Sequence, residues 1–179
     1  QNIPIEVIGN LLAIPRAERD PLRDWSLAIL GALEPEINDA QFDAGEAAVR
    51  DFLAYLQALV ARRQAEGVED ASDIMARLIR ETGAAGEDAN LLPHELLQNC
   101  IFILNAGHET TTNLICSGIW LLSQLPDKVA VLNADASLWP AAIEEVLRME
   151  SPNQLGNRRA VAGFEMGGRH WPEGTLITL

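Results

Sequence analysis

The feature that most constrains this chain is a stretch from Pro93 to Leu125 that contains no helix-breaking residue other than glycine. A continuous helix of about 32 residues would be roughly 48 Å long. Residues 100–104 (Cys-Ile-Phe-Ile-Leu) are apolar all round, which predicts that the helix crosses the protein interior rather than lying on it. A chain organised around such a helix is expected to be mainly α-helical.

Shorter helices are predicted before the long one. Asp20 followed by Pro21 indicates a helix start with Asp20 as N-cap, and Asn38 and Gln41 have the spacing of a capping box. The expected elements are residues 4–14 ended by Pro15, a helix from Pro21 closed by Pro35, a long amphipathic helix to about Gly67, Ile74–Ile79, and a loop at Gly83–Asn90.

The residues after the long helix predict two further helices, at Asp127–Leu132 and Pro140–Met149, and then a small β portion. The β-like pieces are Ala160–Phe164 and Thr175–Leu179. No repeat or domain boundary is evident, so residues 1–179 are interpreted as one domain. Because the chain begins at Gln1 and stops inside an apparent strand, both ends look cut.

Composition excludes several classes of protein. With 13 basic and 26 acidic residues the formal charge is −13, and without a basic stripe the chain is not expected to bind nucleic acid. No apolar stretch is long enough to span a membrane. Cys100 and Cys116 lie in apolar helical sequence and are predicted to be buried free thiols, as in a cytoplasmic protein.

The middle of the long helix contains residues that disfavour a buried helix, Ala106-Gly-His-Glu-Thr-Thr-Thr112. Glycine costs about 1 kcal/mol relative to alanine, and conflicts of this kind are typical of functional sites. Small residues admit a flat group, Thr110 can bond back to the Ala106 carbonyl, and Glu109 beside Thr110 offers a proton path. A crossing of two helices explains the segment equally well. A local distortion is expected between Ala106 and Thr110.

Two further groups of residues accompany this motif. Glu145 and Arg148 share one helical face, and the neighbouring Ile143, Val146 and Leu147 predict that another face of that helix is buried. Asn157-Arg158-Arg159-Ala160 opens the β region, where one arginine can hold an anionic group bidentately or merely be solvated. Zinc-protease, nucleophile-elbow and phosphate-loop patterns are absent from the sequence, and His170 is interpreted as a surface residue.

In this order the three blocks resemble the cytochrome P450 haem monooxygenases of the soluble bacterial type. Ala106-Gly107-x-Glu109-Thr110 is similar to the family's oxygen-activating motif, Glu145-x-x-Arg148 to its E-x-x-R motif, and Arg158-x-Ala160 to its propionate-binding segment. The resemblance covers essentially the whole chain. It implies part of a cytochrome P450-like helical fold, with a long central helix and a small β portion at the C-terminal end.

The resemblance also implies roles for individual residues. Glu109 and Thr110 would deliver protons during oxygen activation, Ala106 and Gly107 would lie against the haem, and Arg158 would bind a haem propionate. Glu145 and Arg148 would be structural. The residues implied to line the substrate pocket are Phe102, Asn105, Gln154 and Leu155.

The family's iron-binding cysteine lies in a Phe- and Gly-rich loop, and neither Cys100 nor Cys116 has such surroundings. The implied activity is hydroxylation of a small organic substrate, with electrons from a ferredoxin or flavoprotein. The alternative is a truncated, haem-free protein of the same fold that acts only through protein contacts, since the chain itself is not expected to bind haem stably.

Overall fold

A computed structural model describes residues 2–34, 36–82 and 90–179 of the chain. The predicted helix stop at Pro35 and all of the predicted loop at Gly83–Asn90 except Asn90 lie outside the described residues. The helices are α1 (Asn2–Leu11), α2 (Leu22–Gly31), α3 (Asp39–Glu66), α4 (Ile74–Arg80), α5 (Pro93–Ser123), α6 (Pro126–Ala134) and α7 (Trp139–Met149). The strands are β1 (Asn157–Arg159), β2 (Phe164–Met166), β3 (Arg169–Trp171) and β4 (Leu176–Thr178).

The described residues form two compact parts. The N-terminal part is Gln1–Thr112 and the C-terminal part is Asn113–Leu179, with α5 continuing from one into the other. Buried apolar side chains from α1 to α5 build the core of the N-terminal part. Its largest fully buried members are Leu12, Ile14, Leu22, Phe52, Leu56, Leu59, Met75, Leu96 and Leu104.

The first helix ends at Leu11, three residues earlier than predicted, because Ala13 has a positive φ of 51° and the Ile14 amide donates back to the Gly9 carbonyl at 2.8 Å, which closes the helix end. Arg19 then holds this end in place. The Arg19 guanidinium donates to the Ile14 carbonyl at 2.9 Å, to the Glu6 carboxylate at 2.8 Å and to Asn10 Oδ1 at 2.8 Å. Its side chain is 10% exposed. These bonds replace further turns of α1 with a fixed bend before Pro15.

The predicted Asp20 cap is wrong. Pro21 is the N-cap of α2, no side chain caps it, and its carbonyl accepts from the Trp25 amide at 3.0 Å. The helix therefore begins at Leu22, and Asp20 is displaced outside the first turn. The indole of Trp25 stacks on Phe52 of α3 with the ring centroids 5.1 Å apart.

The start and end of α3 agree with the sequence. Asn38 Oδ1 accepts from the Gln41 amide at 2.9 Å, and Gln41 Oε1 accepts from the Asn38 amide at 3.0 Å. The predicted capping box is thus confirmed. Gly67 follows the last turn at φ 87°, a backbone angle that favours glycine.

The C-terminal part contains two small antiparallel sheets, one of β1 with β4 and one of β2 with β3. Gly167 and Gly168, both at positive φ, connect β2 to β3 in a two-residue hairpin turn. The strand predicted at Ala160–Phe164 is misplaced, because β1 ends at Arg159 and β2 begins at Phe164. The Ala160 amide donates to the Thr175 carbonyl, directly beside the Arg159–Leu176 pair of the β1–β4 sheet.

Within the described ranges, no helix is both long enough and apolar enough to cross a membrane.

Candidate functional site

The predicted long helix is confirmed as the single element α5, of 31 residues. Its buried residues recur every four positions, at Leu96, Cys100, Leu104 and His108. This spacing keeps one face of the helix in the core of the N-terminal part.

The opposite face of α5 is open. Phe102 is 69% exposed, and Ala106 and Glu109 are exposed as well. The prediction that residues 100–104 cross the interior is therefore wrong, because α5 has a buried side and an exposed side even where both are apolar. We call Phe102, Ala106 and Glu109 the open face of α5.

Thr110 makes the predicted bond to its own helix. Its hydroxyl donates to the Ala106 carbonyl at 2.6 Å, and the Thr112 hydroxyl donates to the His108 carbonyl at 2.8 Å. The α-helix nevertheless continues through this segment without a 3-10 or π turn, so the expected distortion is not found. A carbonyl oxygen has two lone pairs, so it can accept a threonine hydroxyl in addition to the helical N–H.

The two small residues of the motif have different surroundings. A Cβ added to Gly107 would lie 3.1 Å from Cδ1 of Ile8, so the glycine permits close packing of α5 on α1. Ala106 lies on the open face and keeps it flat. Beside them, Oδ1 of Asn105 is buried and has no hydrogen-bond partner among the described residues.

His108 makes a contact that the sequence interpretation missed. Its Nδ1 lies 3.1 Å from Oγ of Ser26 on α2, and both side chains are buried. Burial and the nearby charge of Arg23 lower the pKa of His108, against a smaller opposing effect of Glu109. The four-residue spacing of buried positions, continued from Leu104, is the sequence signal that could have identified this histidine.

Glu145 and Arg148 pair, but not in a buried site. The Arg148 guanidinium donates to both carboxylate oxygens of Glu145, at 2.8 and 2.6 Å, and these bonds lower the pKa of Glu145. The side chains are 56% and 67% exposed. The predicted buried face of α7 is wrong, because Ile143 is exposed and Val146 and Leu147 are only half-buried.

The remaining predicted site residues lie on the surface of the C-terminal part. Gln154 and Leu155 are exposed in the segment before β1, and Arg158 is exposed on β1. The Arg158 guanidinium donates to the neighbouring Asn157 carbonyl at 2.9 Å and forms no ion pair within the described ranges. His170 is exposed, as predicted, with Nδ1 3.1 Å from a carboxylate oxygen of Glu165.

The two cysteines differ. Cys100 is buried as predicted, and burial raises the pKa of its thiol to about 12. Cys116 is exposed, which contradicts the prediction, because its position on α5 does not belong to the buried four-residue series. No group of three or more metal-ligating side chains occurs in the described residues.

Known proteins similar to this chain are cytochromes P450. It is 37% identical over 177 residues to cytochrome P450 107B1 of Saccharopolyspora erythraea and 33% identical over 176 residues to the cytochrome P450 monooxygenase PikC of Streptomyces venezuelae. These alignments cover 98% of the chain and 40% and 39% of the respective relatives. The chain thus spans about two fifths of the length of the curated relatives it matches. No protein-family model matches it.

The fold agrees with the sequence comparison. The solved structure of P450BioI, in complex with an acyl carrier protein carrying hexadec-9Z-enoic acid, is similar with a TM-score of 0.84 at 26% identity. That similarity covers 98% of this chain and 43% of the other. The 179 residues therefore belong to the cytochrome P450 family and correspond to a portion of its fold.

Proposed function

We propose that this chain forms part of a haem-thiolate monooxygenase that uses dioxygen to hydroxylate a small organic substrate. One observation carries the proposal: Glu109 shares the open face of α5 with the small Ala106, and the hydroxyl of the next residue, Thr110, donates to the Ala106 carbonyl. An acid and an alcohol beside a flat, accessible surface are the groups that proton delivery to a bound cofactor requires.

The open face fits one side of a haem. Ala106 allows a planar group to approach the helix, and Gly107 is the next residue along the chain. Phe102 provides an apolar contact for one edge of the planar group. When bound, the haem supplies the oxygen-activating chemistry. The thiolate that would hold the haem iron is proposed to come from outside these residues, because Cys100 is buried in the core and neither cysteine lies in a Phe- and Gly-rich loop.

The chain's own groups would move protons. The Thr110 hydroxyl donates a hydrogen bond to the Ala106 carbonyl. The lone pairs of the hydroxyl oxygen therefore remain free to accept a hydrogen bond from a water molecule. Glu109 is exposed and can exchange protons with solvent. A water molecule bound to Thr110 would thus receive protons that Glu109 passes on from solvent.

Other residues would bind or orient the reactants. Arg158 lacks an ion-pair partner among the described residues, which suits a guanidinium that holds a haem propionate. The unpartnered Oδ1 of Asn105 suits a substrate that carries a hydrogen-bond donor. Gln154 and Leu155 are further candidates for contact with substrate, and the Glu145–Arg148 pair would orient the segment that follows α7. A ferredoxin or flavoprotein would supply electrons.

The intact mass and the absorption spectrum of the purified protein test this proposal together. A protein that contains these residues and the cysteine loop should show a haem Soret band that shifts under carbon monoxide after reduction. The 19.5-kDa chain by itself should show no such shift. Absence of any Soret band from the longer protein would refute the proposal.

A haem-free protein that acts through protein contacts is the second candidate. Large apolar side chains of the C-terminal part are exposed, including Trp120 at 59% and Ile119 at 65%, and such surfaces often mark interaction sites. A protein of this kind would show no Soret band at any length and would associate with a partner or with itself in sedimentation experiments.

A further inference from the structure

His108 is the buried side chain of the α5 motif, and none of the proposed steps uses it. It is 3% exposed, and Ser26 is fully buried. These two are the buried polar side chains of the described residues, and the 3.1 Å contact between them joins α2 to α5 across 82 positions of sequence. A buried polar group left without a partner costs about 1–3 kcal/mol, so each group depends on the other.

The position of this contact gives it a consequence beyond stability. His108 directly precedes Glu109 and Thr110, and successive side chains of an α-helix differ in direction by about 100°. Once His108 points at Ser26, the directions of the next two side chains are fixed. The neighbouring contact of Gly107 with Ile8 is apolar and non-directional, whereas a hydrogen bond constrains orientation.

We propose that His108 is a positioning residue whose hydrogen bond to Ser26 fixes the rotation of α5 about its own axis where Glu109 and Thr110 face the haem site. That Glu109 and Thr110 face a haem site rests on the proposed function, but the anchoring of α5 by the hydrogen bond between His108 and Ser26 does not. The charged side chains that act most strongly on the imidazole are Arg23 on α2 and Glu109 on α5.

Amide hydrogen exchange in the 179-residue chain tests the anchoring. Ser26→Ala should make the amides of residues 109–113 exchange about tenfold faster, with unchanged exchange in α4. His108→Asn should retain slow exchange, because an asparagine amide lies at the same distance from Cβ as Nδ1. Thr111→Ala removes an exposed hydroxyl from the same segment and should change nothing.

Two results would overturn the proposal: unchanged exchange at residues 109–113 in Ser26→Ala, or an equal increase in α4 and α5, which would indicate a merely structural role. If Ser26→Ala does not fold, comparing amide exchange at residues 109–113 in His108→Leu and His108→Asn tests the same proposal. Faster exchange is expected only in His108→Leu, and equal exchange in the two variants would overturn the proposal.

Product yield separates this inference from the proposed function. In a haem-loaded enzyme, the measured quantity is the product formed per NAD(P)H consumed. If this ratio falls in Thr110→Ala but not in Ser26→Ala, the positioning role of His108 is rejected and the proposed monooxygenase function stands. If the ratio is unchanged in Thr110→Ala, the proposed function is rejected, and the exchange result still shows whether His108 anchors α5.

Discussion

Replacing Gly45 by alanine should separate α2 from α3. Gly45 is buried on α3, and a Cβ added there would lie 2.3 Å from Cβ of Ala32 and 3.2 Å from the Ala28 carbonyl oxygen. Ordinary carbon contacts need about 3.5 Å or more, so the helices must move apart by about 1 Å. Alanine at position 32 has no flexible end that could yield.

The expected cost follows from two opposing effects. Overpacking a core contact costs about 1–3 kcal/mol, and alanine recovers up to about 1 kcal/mol of helix propensity. We therefore expect Gly45→Ala to lower the free energy of unfolding by about 1–2 kcal/mol. Gly31→Ala on α2 is the matched control, because no atom lies within 4 Å of its added Cβ, and it should be neutral or slightly stabilising.

Urea denaturation followed by tryptophan fluorescence measures both variants. Trp25 on α2 stacks on Phe52 of α3 and so reports directly on this contact. Replacing Trp120, Trp139 and Trp171 by phenylalanine in all samples isolates its signal. If Gly45→Ala unfolds at the same urea concentration as the parent or a higher one, the packing of α2 on α3 described above is incorrect.

Three further predictions concern other parts of the chain. Arg148→Ala should leave the urea midpoint of unfolding almost unchanged, because its pair with Glu145 is exposed to solvent; a marked drop in that midpoint would contradict the exposure of the pair. Maleimide should label Cys116 in the native chain and Cys100 only after denaturation, and native labelling of Cys100 detected by mass spectrometry would contradict its burial. The pKa of His108 is lowered in the folded chain, so the unfolded chain binds the proton more readily and this histidine should destabilise the parent as the pH falls below about 6.5. The urea midpoint should therefore fall more between pH 7.5 and pH 5.5 in the parent than in His108→Asn, and an equal fall in the two proteins would refute this.

The elements whose signals are local were predictable from sequence. The capping box of α3 depends on two side chains three residues apart, and α5 on a long stretch without proline. The early end of α1 was not predictable, because the residue that takes a positive φ there is Ala13, and alanine has no preference for that conformation. The β strands have three residues each, too few for an alternating pattern to fix their position.

Burial was harder to predict than secondary structure. Glu145 and Arg148 pair at the predicted spacing, yet they are exposed, because burial depends on what packs against a helix rather than on its own sequence. Ser26 was missed for the same reason: its burial requires a partner 82 residues away. The motif of α5 was identified, but the different surroundings of Ala106 and Gly107 required the position of α1.

We propose above that Glu109, on the open face of α5, and the adjacent Thr110 deliver protons in oxygen activation. This proposal is tested most directly by the product formed per NAD(P)H consumed. The enzyme for this measurement is a haem-loaded protein that contains these residues, or the S. erythraea relative carrying them in place of its matched segment. A carbon monoxide difference spectrum identical to that of the parent would confirm intact haem ligation in each variant.

If Thr110 holds the water, Thr110→Ala should still consume NAD(P)H and oxygen but release much of that oxygen as peroxide, because the hydroxyl that holds the water is lost. Thr110→Ser should remain largely coupled, and Glu109→Gln should slow turnover by roughly 10²-fold or more. If the Thr110 hydroxyl merely bonds to its own helix, Thr110→Ala will lose some stability and form as much product per NAD(P)H as the parent. That result would contradict a role of Thr110 in proton delivery.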